Sequence, residues 1–450
     1  MIKILNMRQD RKSIMKWMQD YFGLSRAGTT FSREVTGGLT TFFAMSYIIV
    51  VNPAVLRMAG IPAGPSMIAT ILTAIVGTLL MGLYANRPFA VAPYMGENAF
   101  IAYTVVQALG FPWQAALAAV FIAGIVFLLL TLFKVRQWLV DGIPPVLRYS
   151  FAAGIGLFLA FVGLSQCGIV LPGGSGAPLR TGHLTSAPVL IAIFGFLLIA
   201  VLLLRRFPGA LLLGIVATAL LTFACKVAKP PQGWISLPPN PRPILFQLDW
   251  GHVSSWGFFP VVLTIFVMAL VDTMGTLIGV SARAGLLDER GNLPRIERPM
   301  MVDALSTTFA ALVGTTTSGA YIESAAGVEA GGRTGLTAVV TALCFIATLF
   351  FSPFVSAIPP QAYGPALVAV GLLMLGPVRK INFDDFSELI PAFGVIALMS
   401  FTYNVGIGIT AGFILYPICK LATGRVREIK PGLWVLSGLS LLFFVFYPYQ

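Results

Sequence analysis

The sequence predicts an all-α integral membrane protein with about fourteen transmembrane helices, arranged as two sets of seven. Three observations support this prediction. Of the 450 residues, 57% are hydrophobic and only 10% are charged, whereas soluble domains carry about 25% charged residues. Apolar runs follow one another along the chain, most of them close to the roughly 20 residues that a spanning helix needs. A Pro-rich break near the middle divides these runs into two equal sets.

The order of the apolar runs predicts how the two halves are related. Because seven is an odd number, the second set must enter the membrane from the opposite side, which makes the two halves an inverted repeat. Inverted repeats are typical of secondary transporters. The predicted spans are 34–54, 67–85, 92–109, 113–133, 145–165, 189–204 and 209–225, followed by 258–280, 300–313, 323–330, 335–354, 362–375, 389–403 and 406–421.

The predicted domain organisation is a single membrane domain with short flanking segments. The last apolar segment is either an interfacial helix or an additional span. The boundaries are a cytoplasmic N-terminal segment at 1–33, a transmembrane domain at 34–430 with repeat one at 34–225, a linker at 226–257 and repeat two at 258–421, and the C-terminal apolar segment at 431–450.

The net charge of +12 reflects topology rather than a nucleic-acid partner. The basic residues lie in short connections between apolar runs, as expected when Lys and Arg stay on the cytoplasmic side. We therefore expect a multi-pass protein of the inner (plasma) membrane with a cytoplasmic N-terminus, inserted by its first span rather than by a removable signal peptide. The connections include Arg33, Lys134, Arg136, Arg148, Arg205, Arg283, Arg290, Arg379 and Arg425.

Two predicted spans are interrupted. The third begins in RPFAVAPYMGEN (87–98), and the tenth is preceded by GTTTSGAYIE (314–323). Pro, Gly and Thr disfavour helix here and predict short extended segments. Both interruptions occupy the third place of their set, and paired interruptions of this kind indicate a substrate site at the membrane midplane.

Few acidic residues lie within the predicted spans, and such residues are candidate functional groups. Asp272 lies in the middle of the eighth span, and Glu323 begins the helical part of the tenth. We predict that both bind substrate and couple transport to protons. The structural alternatives are a carboxylate bonded to neighbouring hydroxyls for Asp272 and an acid that stabilises a helix start for Glu323. The acids are Glu97, Asp272, Asp303, Glu323 and Glu329, and no basic residue lies within a span to pair with them.

Three further residues near the interruptions have open roles. Glu97 caps a helix, lines the cavity or carries protons. Asn98 either caps the same helix or offers an amide to the edge of a heterocycle. Tyr321 either stacks on a planar ligand or packs in the core.

The acid-rich site restricts the ligand. Carboxylates without a fixed cation repel anions and suit a cation or a neutral molecule with N–H donors. Burial favours the protonated form of a carboxyl group, which provides a route for proton coupling. The four cysteines are far apart and indicate no metal site. Motifs for ATP binding, metalloproteases and serine hydrolases are absent from the sequence, so we expect a transporter with no cofactor rather than an enzyme.

The same segments carry a family resemblance. PYMGENAF (93–100), VDTMGTLIG (271–279), YIESAAGVEAGGRTG (321–335) and TTFFAMSYIIVVNP (40–53) resemble the AzgA-like branch of the nucleobase–cation symporter-2 (nucleobase/ascorbate) permeases. The resemblance implies a core domain (spans 1–4 and 8–11) and a gate domain (spans 5–7 and 12–14), a homodimer and an elevator movement.

The resemblance also implies roles for individual residues. The family's two acids match Asp272 and Glu323, and its third-span glycine and asparagine match Gly96 and Asn98. Thr276 stands where uracil- and xanthine-type members carry a histidine, which favours the purine branch. The family's PGMGLN reads Pro93-Tyr94-Met95-Gly96-Glu97-Asn98 here, so Tyr94 and Glu97 depart from the pattern.

The sequence therefore predicts a secondary active transporter that imports purine nucleobases, guanine/hypoxanthine or adenine, by proton symport. The expected partners are a purine base, protons, the lipid bilayer and a second copy of the chain, without nucleic acid. The alternatives are transport of uracil, xanthine or an inorganic anion on the same fold, and, beyond transport, a channel or a membrane enzyme.

Overall fold

The computed structural model describes most of the chain. Nine helices in the described ranges are long and apolar enough to cross a membrane, and three further apolar helices are shorter. A multi-pass helical fold is therefore confirmed. The described ranges are 17–133, 135–174, 177–253, 255–288 and 293–447. Outside them lie residues 1–16 of the predicted cytoplasmic segment, 448–450 of the C-terminal apolar segment, and Lys134 and Arg290 of the basic connections.

Every apolar run predicted in the first half forms a helix, and the third run also contains a strand. Prolines fit two helix starts, since Pro145 and Pro188 lie in first turns where backbone N–H groups have no helical partner. The elements are α1 (Phe31–Met45), α2 (Ile48–Arg57), α3 (Ala63–Leu83), β1 (Val91–Pro93), α4 (Met95–Ala99), α5 (Trp113–Leu132), α6 (Val135–Gly142), α7 (Pro145–Gln166), β2 (Val170–Pro172), β3 (Leu179–Thr181), α8 (Ala187–Leu204) and α9 (Ala210–Ala224).

The described part of the second half follows a similar order of elements, without a counterpart of the β2–β3 hairpin. Its third apolar run again consists of a strand followed by a short helix. The elements are α10 (Trp250–Val253), α11 (Phe259–Ala284), α12 (Glu297–Val313), β4 (Ser318–Ala320), α13 (Ser324–Glu329), α14 (Gly335–Thr348), α15 (Ser352–Ala357), α16 (Pro360–Met374), α17 (Phe386–Phe401), α18 (Val405–Ala422) and α19 (Pro431–Phe446).

The two predicted extended segments pair with each other. Strands β1 and β4 are antiparallel, with Val91 opposite Ala320 and Pro93 opposite Ser318. The ladder continues at both ends, because the N–H of Tyr94 donates to Thr317 O (2.9 Å) and the N–H of Tyr321 donates to Ala90 O (2.9 Å). Each buried strand thus finds in the other half the backbone partners that lipid cannot supply.

Corresponding helices of the two halves support the strands in the same way. The hydroxyl of Thr78 on α3 accepts from the N–H of Val91 (2.9 Å) and donates to Val91 O (3.1 Å). The hydroxyl of Thr307 on α12 accepts from the N–H of Ser318 (3.2 Å) and donates to Ser318 O (2.8 Å). Because α3 and α12 hold the second place in their halves, this equivalence is what an inverted repeat would produce.

The helices pack in the two groups that the family resemblance implies. In the first group, called the core group below, α5 packs against α12, and α3 packs against α14. In the second group, called the gate group, α7 packs against α16 and α17, and α17 packs against α18. The short helix α6 joins α5 of the first group to α7 of the second. The residue boundaries proposed for the two repeats and their linker stay a prediction.

One acid at the start of the first span has a structural role. Glu34 is fully buried and accepts from the N–H groups of Arg333 (2.9 Å), Thr334 (3.2 Å) and Thr337 (3.1 Å), as well as from both threonine hydroxyls. Glu34 therefore accepts hydrogen bonds from the free N–H groups at the start of α14 and connects α1 to α14.

Some local features were not predicted. The helix after α4 is π-wound over Phe100–Ala108, and the loop between α7 and α8 contains the hairpin of β2 and β3. The C-terminal apolar segment forms α19, which packs against α18. Its 16 residues fit either of the two predicted roles for this segment.

Candidate functional site

Three of the predicted acids come together beside the paired strands. Glu97 lies in α4, Asp272 in the middle of α11, and Glu323 between β4 and α13. The phenol of Tyr321 lies within electrostatic range of all three carboxyl groups. The strand pair thus brings together residues that lie as much as 226 positions apart (323 − 97).

Glu97 and Asp272 form a carboxyl pair. Their carboxyl groups lie within hydrogen-bonding reach of each other. Glu97 has no exposed surface, and no N–H or hydroxyl of the described residues donates to either of its oxygens. Two carboxylates in contact repel, so a proton held between them would stabilise the arrangement. The structure therefore places Glu97 against Asp272.

Glu323 has a partner that sequence reasoning missed. The hydroxyl of Tyr47 donates to Glu323 Oε1 at 2.7 Å. Tyr47 is buried at the junction between α1 and α2. Glu323 itself is half-buried, so part of its carboxylate remains available to a ligand. The segment that contains Tyr47 was part of the family resemblance, which was the only signal for it.

Two tyrosines lie next to the acids. The rings of Tyr94 and Tyr321 are parallel within 4°, with centroids 6.3 Å apart. The Tyr321 hydroxyl donates to Pro93 O, and the Tyr94 hydroxyl is 3.4 Å from the hydroxyl of Thr273. A Cβ at Gly319 would lie 2.1 Å from the Tyr94 hydroxyl, so glycine is required there. Both tyrosines are buried, so they form part of the wall beside the acids.

The remaining predicted residues surround this centre. Asn98 is fully buried, no described residue donates to its side-chain oxygen, and its amide nitrogen has only a weak 3.9 Å contact with the sulfur of Met95. A Cβ at Gly96 would lie 2.9 Å from the side chain of Ile155, so this glycine permits close approach of α7. Thr276 lies one turn beyond Asp272 and is half-buried.

One face of α11 is open beside Asp272. No atom of the neighbouring described elements lies within 4 Å of a Cβ built at Gly275 or at Gly279. Both glycines are exposed, and Thr276 lies between them on the same face. This face therefore offers space for a ligand next to the carboxyl group of Asp272.

The other two acids differ from these three. Glu329 forms an exposed ion pair with Arg283 at 3.1 Å and lies away from the centre. Asp303 is buried on α12, where it feels the charge of Arg136. Arg136 lies in a connection between spans, as the sequence predicted, but its side chain is buried.

The profile of the Permease family matches residues 32–415. The chain belongs to this family. The permease is 43% identical to the guanine/hypoxanthine permease PbuO of Bacillus subtilis, covering 94% of this chain and 99% of that one. It is 40% identical to the adenine permease AdeP of Escherichia coli, covering 95% and 96%. The transmembrane domain of the cyanobacterial bicarbonate transporter BicA has the same fold, with a TM-score of 0.61 at 15% identity, covering 84% and 96%.

These similarities make the permease a membrane transporter and not an enzyme. A separate cleft of about 480 Å³ contains Arg57, Gln166 and Tyr363. None of the predicted site residues lines this cleft. Val50 and Ala54 do line it, and they continue the helix face that begins at Tyr47.

Proposed function

We propose that the permease imports purine nucleobases by proton symport, with its substrate site at Asp272, Glu323 and the paired strands. The observation that carries the proposal is the convergence of Glu97, Asp272 and Glu323 beside the paired strands, where all three carboxyl groups lie within electrostatic range of the Tyr321 phenol. Relatives that share 40% or more of their residues over nearly the whole chain are named for adenine and for guanine/hypoxanthine. A purine offers N–H donors, ring acceptors and a flat face, which match this set of groups.

Recognition divides among these groups by chemistry. Glu323 and Asp272 are half-buried and accept hydrogen bonds from the N–H groups of the base. The amide of Asn98 both donates and accepts, and the rings of Tyr94 and Tyr321 offer faces for stacking. Thr276, on the open face of α11, leaves the space that a planar ligand needs, and Gly96 lets α7 pack closely behind α4.

Proton coupling rests on the carboxyl groups. A proton held between Glu97 and Asp272 leaves the pair with a single negative charge, and its departure leaves two like charges in contact. Movement of a proton therefore changes the electrostatics of the position where the base binds. Asp272 and Glu323 contact both proton and base in this scheme, and Glu97 exchanges protons with Asp272.

The same fold also carries anions, since BicA is a bicarbonate transporter. At 15% identity this likeness concerns the fold alone. An anion would meet three acidic side chains, and no cation of the described residues makes an ion pair with any of them. Purine transport is therefore preferred over anion transport, and Thr276 in place of a histidine argues against uracil and xanthine.

Uptake into cells that lack their own permeases tests the proposal. Labelled hypoxanthine, guanine and adenine should accumulate, whereas uracil, xanthine and sulfate should not compete. Uptake should fall as external pH rises and collapse with a protonophore. Uptake that ignores the protonophore and follows a sodium gradient would contradict proton symport, and efficient competition by sulfate would contradict the substrate class.

We further propose an inner (plasma) membrane location with a cytoplasmic N-terminus, a homodimeric assembly and an elevator movement of the core group against the gate group. The clustered basic connections support the orientation. Labelling of single cysteines in loops from each side of the membrane tests it.

A further inference from the structure

The short helix α6 carries a buried arginine. Arg136 is 1% exposed, although α6 connects two spans. Its Nη1 donates to Met300 O at 3.0 Å, and its guanidinium lies 4.4 Å above the ring of Phe127. Its Nε reaches no acceptor of the described residues. The side chain thus points from the connection between the two helix groups into the first group.

A buried acid lies in front of this arginine. Asp303 is 2% exposed on α12, one turn after Met300. In the part of the chain that the structure describes, neither carboxylate oxygen accepts a hydrogen bond. Arg136 is the cation whose charge acts on it, and the two groups are not in direct contact in this structure. Two opposite charges, both buried and both incompletely bonded, require one another.

The acid is also connected to the substrate site. Asp303 lies beside Thr273, the residue that follows Asp272 in α11. Thr273 is the hydroxyl neighbour of Tyr94, and the Tyr94 phenol feels the charge of Asp303. Displacing Asp303 would therefore disturb α11 and Tyr94 together.

We infer that Arg136 and Asp303, which attract each other without direct contact, act as an electrostatic anchor that holds the connection between the core and gate groups against the substrate-binding core. The inference rests on the proposed function, because that function is what makes the first group of helices the part that binds substrate. Both are positioning residues, since neither contacts the centre where the base would bind. The anchor fixes where α6 leaves the core, so its loss should slow movement between the groups more than it weakens binding of the base.

A double-mutant cycle tests the anchor. Arg136→Gln and Asp303→Asn each leave one buried charge without its partner, whereas the double variant removes both charges. We expect each single change to reduce uptake and melting temperature, and the double variant to regain at least about half of both losses. Arg136→Lys keeps the charge and should stay closer to wild type than Arg136→Gln. Arg283→Gln, which breaks the exposed pair with Glu329, is the matched control and should change little.

The affinity for base separates positioning from general damage. Inhibition constants of unlabelled purines should stay within about threefold of wild type while the maximal uptake rate falls. If the single variants do not accumulate in the membrane, recovery of the protein level in the double variant supports the pair. A double variant no better than the worse single change, or single variants equal to Arg283→Gln, would overturn the inference. The melting measurements need no substrate, so they are independent of which solute is carried.

Discussion

Glu323 owes its orientation to one hydrogen bond, the 2.7 Å contact from the Tyr47 hydroxyl. A hydrogen bond to a charged group is worth about 1.5–3 kcal/mol, and each 1.4 kcal/mol is a factor of about ten in affinity. We therefore expect Tyr47→Phe to weaken purine binding by about ten- to a hundredfold. Inhibition constants measured at matched protein levels check this. Tyr84→Phe, which alters a half-exposed ring, is the control, and equal constants in both variants would exclude the role.

The two half-buried acids are expected to be indispensable. Asp272→Asn and Glu323→Gln keep the size of each side chain and remove its charge. We expect both to abolish uptake while membrane expression stays intact, because each loses an acceptor for the base and a proton carrier. Near-normal uptake by either variant at matched protein level would remove that residue from the site.

Glu97 bears on proton coupling more directly than on substrate choice. The sequence left three roles for Glu97 open, and its burial against Asp272 favours the role in proton transfer. Glu97→Gln keeps a hydrogen-bond donor towards Asp272 but cannot release a proton. We expect its uptake to depend less on external pH than that of wild type. Uptake measured across acidic and alkaline external pH checks this, and an unchanged pH profile combined with an altered guanine-to-adenine ratio would instead indicate a cavity-lining role.

At the scale of single residues, the sequence identifies charged site residues more readily than neutral residues that act through their contacts. Asp272 and Glu323 stand out because an acid in an apolar helix needs a reason. Tyr47 and Thr273 do not stand out, since tyrosine and threonine are common in such helices and only tertiary packing gives them partners. Arg136 is misleading, because a basic residue in a connection normally faces water.

At the scale of secondary-structure elements, the pairing of β1 with β4 depends on two threonines. The hydroxyls of Thr78 and Thr307 each make two hydrogen bonds to buried strand backbone. Thr78→Val or Thr307→Val leaves a buried N–H unpaired, which costs about 1–3 kcal/mol. We expect a lower melting temperature in detergent for both. Thr131→Val is the matched control, because the Thr131 hydroxyl bonds only within its own helix, to Phe127 O. A control that loses as much stability would contradict this role.

Composition predicted these elements but not their partners. The glycines, prolines and threonines of the third and tenth runs oppose helix, so extended segments were expected and are confirmed in β1 and β4. Their register and the π-wound turns of Phe100–Ala108 depend on contacts between distant segments. A single local stretch of sequence carries no information about those contacts.

The open face of α11 bears on how the whole molecule transports its substrate. Gly275 is exposed, and a Cβ added there meets no neighbour within 4 Å among the described residues, so we expect Gly275→Leu to leave the fold stable. If the face lines the transport path, we expect the same change to reduce uptake by about tenfold or more. Uptake and melting temperature measured together check this, with Gly77→Ala for comparison. A Cβ at Gly77 would lie 2.5 Å from the Ser306 hydroxyl, so that variant should lose stability. Full uptake by Gly275→Leu would place this face outside the path.

Hydropathy gave the number and places of the spans in the whole molecule, because each span must be apolar whatever it packs against. It did not show that α7 would pack against α16 and α17, or that α6 would bury an arginine. Lipid-facing and protein-facing sides of such helices are both apolar, so the sequence contains little contrast from which to infer packing partners.

The pairing of β1 with β4 also has a consequence for biogenesis. Val91 meets Ala320, so 229 residues (320 − 91) separate the two strands in order of synthesis. At about 5–20 residues per second, the ribosome delivers the second strand roughly 11–46 s after the first. During that interval the first strand has Thr78 as a neighbour but no partner strand, at a depth where lipid offers no hydrogen bonds. The nascent chain must therefore be sheltered by the insertion machinery, or keep its third segment out of the bilayer, until the tenth segment arrives.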